Sequence, residues 1–98
     1  LVGKSGRVYS GVNIENSSFG GTICAERTAM VKAISEGERE FDRIVIATAK
    51  QDGWPCGICR QFMYEFAPDL KVVSGTDEEH LEAVPLRELL PKGFRLEE

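Results

Sequence analysis

The run Arg43-Ile44-Val45-Ile46-Ala47-Thr48-Ala49 is apolar on both of its alternating sets, the pattern of a central strand covered on two faces. Such a strand needs helices around it, and the flanking sequence supplies them. Upstream, Ile23, Met30, Ala33 and Ile34 recur at helical spacing, with Thr22 placed as a cap and Gly37 as a stop. Downstream, a polar loop ends in Trp54-Pro55. Ile58, Phe62 and Phe66 then fall four apart on a second helix that must finish before Pro68. Leu70 to Ser74 reads as another strand, Gly75-Thr76-Asp77 as a turn, and Glu79 to Val84 as an edge strand with alternating Leu81 and Ala83. Pro85 opens a short helix through Leu89 and Leu90 that Pro91 stops. The opening Leu1 to Val12 reads as the end of one strand, a glycine-containing turn and a second strand. This order of strands and helices predicts an α/β sandwich with a mostly parallel or mixed sheet, one domain over residues 1–98.

Composition narrows the function classes. The 98 residues are 42% hydrophobic and 29% charged, which excludes intrinsic disorder and a long apolar span. Twelve Lys and Arg against sixteen Asp and Glu leave a net charge of −4, so a polynucleotide held through its phosphates is a poor partner and a small neutral substrate a better one. Three cysteines cannot all pair with one another, and the sequence opens without the pattern of a secretory signal. A reducing cytoplasm is therefore the expected setting, with no membrane attachment.

The arrangement of those cysteines carries the chemistry. Cys56-Gly57-Ile58-Cys59 is a C-x-x-C at the start of the second helix, and Cys24 stands at the start of the first. Positive helix N-termini favour thiolates, so three can converge on one ion. Three protein ligands are the number expected of a catalytic zinc, which keeps a fourth position for water or substrate. His80, the only histidine, lies in a polar segment and is not expected to ligate. Glu26 follows Cys24 by two residues. With Cys24 at or before the first turn, Glu26 can approach the metal's open position without ligating it and move protons there. Arg27 and Arg60 each follow a key residue, and either guanidinium could donate to sulfur and draw charge from it. Two other readings share parts of this pattern: a redox dithiol of Cys56 and Cys59, and a structural zinc that would need a fourth ligand.

Four ordered motifs, Asn13-Ile14-Glu15-Asn16, Cys24-Ala25-Glu26-Arg27-Thr28-Ala29, Pro55-Cys56-Gly57-Ile58-Cys59-Arg60-Gln61 and Leu89-Leu90-Pro91 with Phe94, together resemble the small homo-oligomeric cytidine deaminase family. The resemblance implies a three-layer α/β/α sandwich with a mixed sheet, and zinc held by Cys24, Cys56 and Cys59. It implies deamination of cytidine and 2'-deoxycytidine in pyrimidine salvage, with Glu26 protonating N3 and then the departing amine. It also implies that Asn13 and Glu15 bind the sugar, that Ala25 contacts substrate, and that Phe94 stacks on the base, often from a neighbouring subunit of a homotetramer with shared active sites. Phe19 matches an aromatic at a subunit contact. Family members usually begin with a further helix and most of a strand, so the resemblance implies an N-terminally truncated domain with an apolar sheet face exposed. Gly20-Gly21 departs from the family pattern, which has a bulkier second residue and a less mobile loop before Cys24. Deaminases of polynucleotides usually carry His in place of Cys24.

Overall fold

The computed structural model describes residues 1–48 and 53–96. Ala49, the end of the expected strand, and part of the polar loop after it lie outside the described residues. The elements run β1 (Val2–Gly3), a single 3-10 turn (Phe19–Gly21), α1 (Ala25–Ser35), β2 (Phe41–Ala47), α2 (Gly57–Phe66), β3 (Lys71–Gly75), β4 (Leu81–Pro85) and α3 (Leu86–Leu89). The sheet order is β1-β2-β3-β4. The β2 and β3 strands are parallel, joined by a crossover through α2, while β1 and β4 pair antiparallel on the two edges. This is the mixed sheet of an α/β sandwich, as expected. Met30, Met63, Leu70, Val72 and Leu86 are fully buried at the centre of its core.

Four expectations of detail change. The second opening strand shrinks to one antiparallel bridge between Val2 and Val8. Gly6, at φ +92°, makes the turn, but a few residues later the chain leaves the sheet to pack on α1. A Cβ on Gly11 would stand 2.5 Å from the Ala25 carbonyl oxygen, so only glycine permits this approach. Thr22 is not the cap of α1, because that place belongs to Cys24, whose backbone is extended at φ −73° and ψ 158°. The Thr22 hydroxyl accepts the Asn16 N–H instead, at 3.1 Å.

On α2 the expected stripe of Ile58, Phe62 and Phe66 is not the buried one. Ile58 is 66% and Phe66 40% exposed, whereas Cys59, Met63 and the following Ala67 are buried. One residue of offset is a rotation of about 100°, and it is the rotation that turns Cys59 inward. The β2 strand is covered on one face only among the described residues. Ile44 and Val72, paired in register, are buried, while Val45 on the opposite face is 53% exposed. Contacts of α1 with α2 and of α2 with α3 place the helices together.

Candidate active site

Each helix start contributes a thiol because the backbone there has just turned from extended to helical. Cys24 is the N-cap of α1, and Cys56 is the N-cap of α2 at φ −68° and ψ 169°. Cys59, one turn into α2, is fully buried. The α1 and α2 helices pack together, and the three Sγ atoms lie within 4.8 Å of one another. Cys24 Sγ and Cys56 Sγ are 4.0 Å apart. Tetrahedral ligation at zinc–sulfur distances of about 2.3 Å separates sulfurs by about 3.8 Å, so the cluster fits a zinc ion with one ligand position to spare. The Asp77 carboxylate hydrogen-bonds the exposed His80 ring, Nδ1 to Oδ1 2.7 Å, and His80 is outside the thiol group.

The electrostatics of the cluster come from its two ends. The Cys59 backbone amide at the start of α2 draws the Cys56 thiol below its ordinary range. Burial pushes Cys59 up, against the pull of Arg27. Arg27 gives Nη2 to the Thr22 carbonyl at 3.2 Å and to Cys24 Sγ at 3.8 Å. Its interaction with Cys24 holds the guanidinium in its charged form. The buried Arg27 Nε finds no hydrogen-bond partner among the described residues, a cost that is easier to bear beside thiolates. Arg60 behaves differently from expectation. Its donors go to the Pro55 carbonyl (Nε, 2.6 Å) and the Leu89 carbonyl (Nη1, 2.9 Å).

Glu26, in the first turn of α1, lies at the positive end of that helix. Its charge acts on Cys59, and together with Ala25 it lines a cavity of about 390 Å³ that also touches Tyr9, Gly11 and Ile44. The Asn13–Asn16 stretch is brought alongside by one exchange of backbone hydrogen bonds: Ile14 N to Ile23 O at 2.9 Å and Ile23 N to Ile14 O at 3.0 Å. Flanking Ile14, Asn13 and Glu15 point the same way, as alternation requires. Asn13 Nδ2 donates to Glu15 Oε1 at 2.7 Å.

Residues 1–76 match the family described as the cytidine and deoxycytidylate deaminase zinc-binding region. The chain belongs to that deaminase family. A cytidine deaminase of Halalkalibacterium halodurans is 47% identical over the whole of this chain and 76% of its own length. A probable cytidine deaminase of Dictyostelium discoideum is 45% identical over the whole chain and 67% of its length. The crystal structure of a cytidine deaminase from Burkholderia pseudomallei superposes with a TM-score of 0.86 at 38% identity, covering 96% of this chain and 77% of that one.

Set against this deaminase fold, the other expected site residues are spread out. Phe94 is 70% and Phe19 91% exposed, and neither they nor Asn13 and Glu15 are among the described residues that line the cavity beside Glu26. Two supporting residues escaped the sequence reading. Ser74, buried on β3, donates its hydroxyl to the Gly53 carbonyl at 3.0 Å and so steadies the loop before Cys56. A polar residue ending an apolar strand was the available signal. Gly11 is the other, and a glycine inside a strand-like run marks such close approaches.

Proposed function

We propose that this chain hydrolyses cytidine and 2'-deoxycytidine to uridine and 2'-deoxyuridine with release of ammonia, serving pyrimidine salvage in the cytoplasm. The observation that supports it most is the meeting of three thiols at two helix starts, with the charge of Glu26, in the first turn of α1, acting on the deepest of them. Cys24, Cys56 and Cys59 hold the zinc, which when bound supplies the Lewis acidity that makes water nucleophilic at neutral pH.

The chain's own residues do the rest. Glu26 takes a proton from the attacking water as its oxygen bonds to C4, and passes that proton to N3. Glu26 then takes the remaining proton from the oxygen now on C4 and delivers it to the amine as the C4–N4 bond breaks, so that ammonia leaves and the C4 carbonyl forms. One carboxylate suffices because both transfers occur on the same side of the ring, within hydrogen-bond reach. Ala25, small and on the same cavity wall, leaves room for the base. Arg27 spreads the negative charge of the thiolates. Asn13 and Glu15 bind the sugar.

Phe94 stacks on the base across a subunit boundary in a homotetramer with shared sites. Its exposure supports this, as do the exposed Phe19 and the uncovered Ile58 and Phe66 on α2.

The test is zinc content and conversion of cytidine to uridine in the wild type and in Glu26→Ala. The variant is expected to keep its zinc and lose turnover by about 10²- to 10⁴-fold. A metal-free protein that reversibly forms a Cys56–Cys59 disulfide would replace this reading with a thiol redox function.

A further inference from the structure

The residues around Arg60 form a pattern that metal ligation does not account for. Arg60 follows Cys59 on α2, and its half-buried guanidinium spans two backbone carbonyls from distant parts of the chain. One belongs to Pro55, the buried residue immediately before Cys56. The other belongs to Leu89, the last residue of α3. The final carbonyls of a helix have no partner inside the helix, and Arg60 supplies one. Its neighbour Gln61 continues the attachment, Nε2 donating to the Phe94 carbonyl at 3.1 Å. Farther along α2, the Glu65 carbonyl accepts from Arg95 Nε at 3.0 Å. Thus α2 carries a thiol of the cluster on one face and the backbone of residues 86–96 on another, and Arg60 joins the carbonyl just before Cys56 to the end of α3.

We propose that Arg60 is a positioning residue that fastens the Cys56 loop to residues 86–96, so that the thiol cluster and Phe94 are ordered together. This deepens the reading of the site given above and rests on its assignment of zinc to the thiols. A planar guanidinium with several donors in fixed directions can serve two carbonyls at once, which a single ammonium on a flexible stem does poorly. Zinc binding fixes Cys56, Cys56 fixes Pro55, and through Arg60 the order extends to α3 and the chain after it.

The experiment uses the full zinc-loaded chain and two readouts other than turnover: the rate of zinc release to a chromogenic chelator, and hydrogen exchange of residues 86–96 with and without zinc. In the wild type, zinc removal is expected to speed exchange in 86–96. In Arg60→Ala, release should accelerate about 10- to 100-fold, and exchange in 86–96 should no longer depend on zinc. Arg60→Lys, which keeps the charge and most of the stem, guards against loss of the fold and should fail to restore the dependence. Wild-type release from Arg60→Ala, or exchange that still follows zinc in either folded variant, would overturn the proposal. Glu26→Ala should keep the zinc dependence of exchange in 86–96 while turnover is lost, so failure of the deaminase chemistry and failure of this coupling would be seen separately.

Discussion

The thiol cluster and the residues proposed to recognise substrate are organised in opposite ways. Cys24, Cys56 and Cys59 converge within one chain, on two helices that pack against each other, and the deepest of them is fully buried. Asn13, Glu15 and Phe94 are exposed and lie outside the helices. A bound metal holds its ligands to within a few tenths of an ångström, a precision that helix starts packed against each other favour. Recognition of a nucleoside can be completed by a second subunit. On the proposed reading, folding alone builds the chemistry and a second subunit completes the selectivity.

Two substitutions would break or sharpen that contrast. Arg27→Ala removes the cation that contacts Cys24 Sγ and the Thr22 carbonyl, and should weaken zinc binding about 10- to 100-fold. Competition against a chelator of known affinity measures it. The loss should be the same at every protein concentration, because the cluster lies within one chain. Phe94→Ala should instead leave zinc affinity unchanged and raise KM about tenfold, since stacking on a base contributes roughly 1–3 kcal/mol. Steady-state kinetics over a dilution series provide the check: the wild-type KM should approach that of the variant as the assembly dissociates. If the KM of the wild type stays constant down to the monomer, Phe94 acts within its own chain and the contrast fails.

The thiols were legible in the sequence because their positions follow from local chain geometry. A cysteine before a helical run becomes its N-cap, and a second cysteine three residues on faces the same ion. The same local reasoning placed β2, β3, the β4 edge and the brief α3 close to where they lie. What it could not supply was rotation and reach. On α2, Ile58, Phe62 and Phe66 form the more apolar set, yet Cys59, Met63 and Ala67 are buried, because the demand on Cys59 comes from another helix. Arg60 was expected at sulfur from its position beside Cys59. Its long side chain found the Pro55 and Leu89 carbonyls, and Leu89 is 29 residues away in sequence. Thr22 lost the helix cap to Cys24 for a related reason: its hydroxyl was needed by Asn16 across the loop.

A cluster remote from the thiols gives the smallest effect and a control on the comparison. Glu38, just after α1, accepts the Ser5 hydroxyl at 2.6 Å and the Tyr9 hydroxyl at 3.1 Å through Oε1, tying the opening hairpin to the far end of that helix. The Ser5 hydrogen bond, followed by that of Tyr9, holds the Glu38 carboxyl below its ordinary value of 4.5. A depressed carboxylate favours the folded state when ionised. Its contribution is therefore present above pH 4.5 and is lost as pH falls through the lower, folded value. Glu38→Gln should lower Tm by about a few degrees at most near pH 7, and the gap should close on acidification. Thermal unfolding across that pH range measures it. Zinc release should be unaffected, because neither hydroxyl touches the cluster. Tyr9 also lines the cavity beside Glu26, so a rise in KM would place the hairpin with the recognition residues. A Tm gap that persists unchanged into acid would mean that the two hydroxyls discriminate by shape and that the charge contributes nothing.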